Sequence, residues 1–580
     1  MCFKMSETVF VLRRAQDFIR RNLLWILAGL LVLWAVFIRY EHILDHNYYY
    51  IVSPDSYFFH WLGGRLAAGE GPPPDSPITS LPLYNLHSGL SPTLAYVAKA
   101  AQVMLHMSPQ AAIDFASKIV PLALGIAFLI TVFIIAYKSC GRRVGIFSAF
   151  AWAATAYGIE LSAGGYVDRE GLSSLLLMVG IFVFYISKYW KPRVQGRDVG
   201  WLVGGTIVLL MELLLYLEWD LQAAMLLFAA LTAYFVLRLL IGYWNNRNVS
   251  LERLKLIYAL REANWGTFIF ILAINCLALA AMHSQAASAV QYIRLYVTAG
   301  SSRLGVMEYG GLSVGDLFAY QLLWIPMIIA IYLTLKKRND YYYFISIWFL
   351  IVVGMSLFAR RLEVFGAVPA ALLGGVGLNH LWEWSGVSFV SLKKVGVIVF
   401  ILLLATVASL QGASLQKSSA MSPDSEWLDA LRYLREDTPT NSIVASQWSW
   451  GYWILDVGQR EPFVDNGFYG YDLDRLDDVG RLYISTDDSE VLQIMKTRGI
   501  NYIIFSKQDA DVASHIMGWA GVKDRPDFPR YSLYSRSMGG NFTSNAGLEV
   551  VYRSPKSERD YVVILGLNQQ ETSPDSNQSP

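Results

Sequence analysis

The sequence predicts a polytopic α-helical membrane domain followed by a mixed α/β domain. Apolar runs close to 18 residues recur up to about position 410, long enough to cross roughly 30 Å of hydrocarbon as helices. Of the 580 residues, 54% are hydrophobic and only 16% charged, with a positive mean hydropathy, a balance foreign to ordinary soluble domains. After residue 411 the pattern changes to short helical and strand periodicities separated by turn residues.

At the N-terminus, Arg13, Arg14, Arg20 and Arg21 precede an apolar run from Leu23 to Ile38 with no small-residue cleavage site behind it, which reads as a retained first span. The polar stretch 41–90, rich in Asp, Pro, Gly and Tyr, reads as a loop, and the moderately apolar 91–117, interrupted by Pro109, as a surface segment. Further spans are expected near 118–137, 144–160 and 171–187, then two within 200–239 broken at Glu218-Trp219-Asp220. The series continues near 266–282, 317–335, 341–358, 362–382 and 395–410. That makes about eleven, or up to about thirteen if 240–265 hides a pair.

The basic clusters at Lys138/Arg142/Arg143, Lys188/Lys191/Arg193, Arg247/Arg253/Lys255, Lys336/Lys337/Arg338 and Lys393/Lys394 all fall on the side of the basic N-terminus. The excess of Lys and Arg on one face assigns it to the cytoplasm. The expected layout is therefore a cytoplasmic segment 1–22 and a membrane domain 23–410 with external loops 41–90, 161–171 and 283–316. An extracytoplasmic domain 411–568 and a polar, disordered tail 569–580 follow. Within the outer domain, Ser425 to Glu436 and Ser489 to Thr497 read as helices, and Ser442 to Ser446, Asn501 to Ser506, Leu548 to Tyr552 and Tyr561 to Leu565 as strands. Cys2, Cys140 and Cys276 all lie outside this domain, so no disulfide framework holds it. A net charge of +1 gives no electrostatic case for nucleic acid.

Two features carry chemistry. The run Ser446-Gln447-Trp448-Ser449-Trp450-Gly451-Tyr452-Trp453 opens the outer domain, followed by Pro462-Phe463-Val464-Asp465-Asn466-Gly467. It reads either as a buried aromatic cluster near the membrane interface or as a peptide-recognition pocket with aromatic walls and a central hydroxyl. The second feature is the acidic set Asp55, Asp168 and Glu170 near span ends on the outer face. Carboxylates of this kind supply hard oxygen donors for Mg²⁺ or Mn²⁺, and no Cys/His cluster argues for zinc. The alternative is a set of solvated loop charges. A transporter would place its polar groups at mid-membrane, whereas these lie at the outer face.

Taken in order, a first-loop Asp, a second-loop Asp-x-Glu, a late-loop Glu308, an Arg at a span end and a Trp-rich motif resemble the catalytic subunit of oligosaccharyltransferase. The likeness is to the single-subunit bacterial and archaeal enzymes of GT-C architecture and covers about residues 20 to 565. The family's W-W-D-Y-G hallmark falls on Gln447-Trp448-Ser449-Trp450-Gly451, which keeps Trp448 and Gly451, replaces Tyr by Trp450, and loses the first Trp and the Asp. Arg460-x-Pro462-x-Val464-Asp465-Asn466 matches the continuation. Gly165 to Gly171 resembles the second acidic motif, Ser53 to Tyr57 the first, and Val306-Met307-Glu308 the late-loop motif.

The resemblance implies that Asp55, Asp168 and Glu170 bind Mn²⁺ or Mg²⁺, and that Asp55 and Glu308 engage the acceptor amide. It also implies that Arg361, or its neighbour Arg360, grips the lipid pyrophosphate. Gln447, Trp448, Ser449, Trp450 and Gly451 would read the hydroxyl two residues after the acceptor Asn. Asp511, Ser514 and Met517 have the spacing of a third reading element, or of an ordinary amphipathic helix, with Met517 as the sequon contact. The implied activity is inverting, metal-dependent transfer of a preassembled glycan from a polyprenyl diphosphate to Asn in Asn-x-Ser/Thr. The chain would act as a single subunit in the cell membrane, with the lipid-linked oligosaccharide and an acceptor polypeptide as partners. The rivals are another GT-C enzyme using a polyprenyl-phosphate sugar, and a catalytically weakened paralogue that binds peptide.

Overall fold

The computed structural model describes residues 29–39, 54–71, 89–160, 169–187, 322–337, 340–357, 360–386, 391–417, 422–465, 474–522, 527–540, 547–555 and 561–567, with isolated positions between them, 162 and 167 among these. The expected spans in 200–282 are represented only by isolated positions, and the loop 283–316 with Glu308 lies outside the described residues, as does the tail 569–580.

The helices begin with α1 (Gly29–Arg39). Next come α2 (Pro54–Ala68), α3 (Leu90–Leu105) and α4 (Pro109–Cys140). The expectation of a loop across 41–90 is overturned for its middle. Pro54 opens a helix, where its fixed φ suits the first turn and its missing N–H costs nothing. Tyr57, Phe58 and Leu62 then form a buried apolar stripe. Pro109 likewise starts α4 instead of interrupting it: Ser108 caps the helix, its Oγ accepting the Ala111 N–H at 3.3 Å. The run expected at 118–137 is therefore the inner part of a 32-residue helix.

The segment expected as one span at 144–160 is split into α5 (Arg142–Ala153) and α6 (Ala156–Glu160). Then follow α7 (Arg169–Ser187), α8 (Trp324–Lys337) and α9 (Asp340–Ser356). A 3-10 turn (Arg360–Gly366) leads into α10 (Ala367–Trp384), and α11 (Leu392–Lys417) ends the series. Among the described residues, three helical stretches are long and apolar enough to cross a membrane: Pro109–Cys140, Glu363–Trp384 and Leu392–Leu410.

Helix α10 is the centre of this bundle, buried on every side from Ala367 to Leu378 and packed on α5 and α8. Its glycines allow that approach. A Cβ on Gly377 would lie 1.8 Å from the Pro326 carbonyl oxygen, and one on Gly375 2.0 Å from Ser148 Oγ.

The C-terminal part contains α12 (Ser425–Asp437), β1 (Ile443–Ala445), a 3-10 turn (Trp448–Trp450), α13 (Gly451–Asp456) and β2 (Glu461–Pro462). It continues with α14 (Asp474–Ile484), α15 (Asp488–Arg498) and β3 (Tyr502–Ser506). A second 3-10 turn (Lys507–Val512), α16 (Ala513–Trp519), α17 (Leu533–Met538), β4 (Leu548–Arg553) and β5 (Val562–Leu567) complete it. The strand order is β2-β1-β3-β5-β4, parallel among the first three and antiparallel across β3/β5 and β5/β4.

Strand alternation gives each face its own core. Ile503, Phe505, Val563 and Leu565 pack with α14 to α17. Ile504, Val562 and Ile564 pack with Trp427 and Leu431 of α12, Trp453 of α13, and Tyr57, Phe58 and Leu62 of α2. A helix from the first polar segment is thus part of the hydrophobic core of the C-terminal sheet.

Gly377→Ala forces backbone apart in the middle of the bundle, and overpacking of this kind costs about 1–3 kcal/mol or more. Gly396→Ala in α11 meets open space. Thermal unfolding of the detergent-solubilised chain, followed by tryptophan fluorescence, should show a lowered Tm for the first variant and none for the second. Equal Tm values would refute the close packing of α10 on α8.

Candidate functional site

The sheet topology creates a crevice. From β1 the chain passes through the Trp-rich turn and α13 to β2 on one side, while β3 pairs on the other side of β1. This is a switch point of a parallel sheet, where the carboxyl ends of neighbouring strands diverge and ligands bind. Both 3-10 turns, Trp448–Trp450 after β1 and Lys507–Val512 after β3, sit on that edge.

The local sequence dictates how the first turn is held. Gly451 lies against the segment just after β2, where a Cβ would meet the Val464 carbonyl oxygen at 2.4 Å. The Trp450 indole N–H donates to Asp509 Oδ1 at 2.7 Å, and its ring stacks on Trp453 with centroids 4.6 Å apart. Asp509 also accepts from the Ser506 N–H at 2.8 Å and the Tyr483 hydroxyl at 3.0 Å. Full burial pushes this carboxyl up to about 6 against the opposing pull of those three donors. Gln447 is buried, its backbone N–H donating to the Tyr483 oxygen at 2.9 Å. Trp448 and Ser449 are half-exposed.

The two readings of the Trp-rich run are therefore both represented. Trp450, Tyr452 and Trp453 form a buried aromatic cluster, while Ser449 is half-exposed and Trp448, also half-exposed, packs partly on the core of the other sheet face. In the other turn, Asp511 and Ser514 are exposed and Met517 is fully buried. The carboxylate that reaches the Trp-rich turn is Asp509, not Asp511. Its signal in the sequence is Ser506-x-x-Asp509 directly after a strand, a capping box that the structure forms.

Helix α13 carries this edge onto α2. Tyr57 meets Trp453 edge-on with centroids 6.3 Å apart, and Phe58 meets Tyr452 at 5.2 Å. Between them lies a charged bridge that the sequence reading did not find. His60 Nδ1 is 2.9 Å from Asp456 Oδ2 at the end of α13, and His60 Nε2 is 3.0 Å from Asp114 Oδ1 in the first turns of α4. Burial alone would lower the ring's affinity for protons. The Asp456 charge and hydrogen bonds to both carboxylates outweigh it and raise His60 to about 10.

The same helix starts with the first acidic motif. Asp55 lies in its first turn and is half-buried. Ser56 Oγ accepts the buried Val167 N–H at 2.8 Å. That bond joins the backbone beside Asp55 to the backbone beside Asp168, although 111 residues separate the two bonded positions. Asp168 itself, and the side chain of Glu170 in the first turn of α7, lie outside the described residues. Arg360 and Arg361 start the 3-10 turn before α10, with side chains outside the described set.

A third residue that sequence reading missed is Arg39, buried at the end of α1. It donates to Ser162 Oγ at 2.6 Å and to the Gly158 carbonyl at 2.9 Å, with its guanidinium 4.9 Å from the Trp152 ring centre. It pins the corner that leads to the second acidic motif. Among the described residues, no group of three or more His, Cys, Asp or Glu side chains could hold a metal ion. The acidic residues next in sequence to this bond, Asp55 beside Ser56 and Asp168 beside Val167, are carboxylates, a donor chemistry that suits a hard divalent cation.

The fold is that of the GT-C membrane glycosyltransferases. Over 93% of this chain and 81% of the other, it superposes on the oligosaccharyltransferase of Archaeoglobus fulgidus in the apo form with a TM-score of 0.71 at 13% identity. An oligosaccharyltransferase of Archaeoglobus fulgidus has also been solved with an inhibitory peptide and a dolichol-phosphate, and the first of these proteins with Zn and sulfate. ArnT from Cupriavidus metallidurans superposes less well, with a TM-score of 0.52 at 11% identity over 93% of this chain and 97% of that one.

In sequence the chain is similar to dolichyl-phosphooligosaccharide-protein glycotransferase 2 of Pyrococcus horikoshii, 24% identical over 215 residues, 36% of this chain and 26% of that protein. It is also similar to glycotransferase 1 of Pyrococcus furiosus, 30% identical over 133 residues, 22% of this chain and 13% of that protein. The matched segments thus span about a quarter or less of those relatives. No family model matches. The resemblance to the oligosaccharyltransferase catalytic subunit is borne out by these likenesses.

His60 supplies a pH prediction for this site. Its folded value lies above the ordinary 6.5, so its stabilisation is complete below that pH and is lost as pH rises through about 10. The Tm should fall between about pH 6.5 and pH 10 in the wild type. His60→Gln should flatten that fall and lower Tm at neutral pH, because breaking a buried pair costs roughly 3 kcal/mol. An unchanged alkaline fall in His60→Gln would assign it to another group.

Proposed function

We propose that the chain is the catalytic subunit of an oligosaccharyltransferase. It transfers a preassembled glycan, with inversion, from a polyprenyl diphosphate to the Asn side chain of Asn-x-Ser/Thr in a polypeptide. The observation that carries the reading is the continuity from the sheet switch point to the acidic motifs. The Trp-rich turn, α13 and α2 share one core, and the Val167 N–H bond to Ser56 joins the two acidic motifs at the start of α2. The Archaeoglobus structure with a tethered acceptor peptide containing an NVT sequon supports the same substrate class.

The chemistry assigned to each residue follows from the amide. Its nitrogen is a poor nucleophile because the lone pair is delocalised into the carbonyl. Asp55 and Glu308, accepting its two N–H hydrogens, would weaken that conjugation and orient the nitrogen toward the anomeric carbon. Arg361, or Arg360 beside it, would bind the pyrophosphate leaving group as a bidentate donor. Asp55, Asp168 and Glu170 would hold Mn²⁺ or Mg²⁺, which when bound offsets negative charge on that leaving group. Trp448 and Ser449, the accessible part of the motif, would receive the residue two after the acceptor Asn, with Trp450, Gly451 and Gln447 setting their position. Met517 would contribute from behind as packing for the same edge.

In the cell membrane the chain would be multi-pass. Its N-terminus would be cytoplasmic and its 411–568 domain outside, and it would act as a single subunit.

The test is transfer by the purified full chain supplied with a lipid-linked oligosaccharide and Mn²⁺. Asn-x-Thr peptide should be glycosylated and Asn-x-Ala should not. Asp55→Asn and Asp168→Ala should each lower kcat/KM at least about a hundredfold, and a chelator should abolish transfer. Sugar transfer from a polyprenyl monophosphate to a non-peptide acceptor would overturn the reading in favour of another GT-C enzyme. Peptide binding without transfer would favour an inactive paralogue.

A further inference from the structure

Gln447 and Ser449 occupy the two places where the chain loses the hallmark Trp and Asp, and they are bonded to each other. Gln447 Oε1 accepts the Ser449 backbone N–H at 2.8 Å, and Gln447 Nε2 donates to Ser449 Oγ at 2.9 Å. The backbone N–H can only donate, so it fixes which end of the amide is oxygen and leaves the NH₂ facing the hydroxyl. The glutamine itself is held: it is 3% exposed, and its backbone N–H is bonded to the Tyr483 oxygen.

Ser449 Oγ thus accepts from Gln447, which leaves its own proton to be donated to another partner, such as a group at the half-exposed side. A carboxylate at this position could only accept. A serine held in this way donates.

This inference rests on the proposal that the Trp-rich turn receives the residue two after the acceptor Asn. We propose that Gln447 sets the polarity of that recognition, holding Ser449 as a hydrogen-bond donor so that the peptide is read by an acceptor oxygen. A hydroxyl satisfies either polarity, so Ser and Thr remain substrates. Neutral side chains that offer an oxygen without a proton become substrates as well, a class that a carboxylate at 449 rejects because two acceptors would face each other without a proton between them. Gln447 is a positioning residue here, acting through Ser449.

The experiment uses the purified full chain, a lipid-linked oligosaccharide, Mn²⁺ and three peptides identical except two residues after the acceptor Asn. That position carries serine, O-methylserine or 2-aminobutyrate. The wild type should transfer to O-methylserine with kcat/KM at least about tenfold above 2-aminobutyrate, the scale of one recognition hydrogen bond.

In Gln447→Glu, a carboxylate takes both the Ser449 N–H and the Ser449 hydroxyl proton, which turns only lone pairs outward. Ser449→Asp does the same directly. Both variants should lower the ratio of O-methylserine to serine transfer at least about fivefold. The ratio is taken within each enzyme, so a general loss of activity or stability cancels.

O-methylserine at the 2-aminobutyrate level in an enzyme that glycosylates the serine peptide would overturn the polarity while leaving the proposed function standing. So would a ratio unchanged in Gln447→Glu. Absence of transfer to the serine peptide by the wild type would overturn the proposed function itself, and this inference with it.

Discussion

One protonated imidazole holds the molecule's working parts together. His60 lies between Asp456 and Asp114, joining α2 to a residue 396 positions away in α13 and to another 54 positions away in α4. Each partner alone would leave a cost: a buried carboxylate without a cation, or a buried cation without an anion, is far more expensive than the pair. The two contacts are not equal. The Asp456 side chain is 9% exposed, whereas Asp114 is 38% exposed and also accepts from Gln110. Solvent screens the second contact, so most of the coupling runs through Asp456. That ranking places the strongest electrostatic contact between α2 and the helix that follows the Trp-rich turn.

Helix α2 is where the two halves of the chain become one object. Its first turn presents Asp55, its third residue Ser56 accepts the Val167 N–H, and its apolar stripe completes the core under the C-terminal sheet. Helix α13 is joined to α2, which carries Asp55, by packed rings and an ion pair instead of by a linker. The acidic end of α2 and the Trp-rich turn are thereby held on one packed unit.

Much of this was legible in the sequence, and the failures have specific causes. The long apolar runs and the alternating strands announce themselves because burial on one face, or on all faces, leaves a periodic trace. Strands β1, β3, β4 and β5 fall within two residues of their expected positions. Helix α2 left no such trace. Its stretch is surrounded by Pro, Gly and Asp, and its stability comes from Tyr57 and Phe58 docking on Trp453 and Tyr452, a tertiary gain that propensity does not register. His60 and Asp456 look like isolated polar residues because their pairing exists only after folding. The bond that joins the two acidic stretches, from the Val167 N–H to Ser56 Oγ, runs through a serine that carried no signal of its own.

The loss of the hallmark Asp also has a local setting that the linear motif hides. Immediately behind the Trp-rich turn sits Asp509, completely buried and held by an indole N–H, a tyrosine hydroxyl and a backbone N–H, none of them charged. Neutral donors stabilise a carboxylate less than a cation does, and full burial still raises its affinity for protons against their pull. This edge of the sheet therefore already carries one poorly compensated negative charge. A second carboxylate at 449 would add like charge to the same turn, whereas Gln447 and Ser449 satisfy each other as a neutral pair. The chain keeps a rigid aromatic base in this turn, bonded from beneath by Asp509, with the neutral Gln447–Ser449 pair above it.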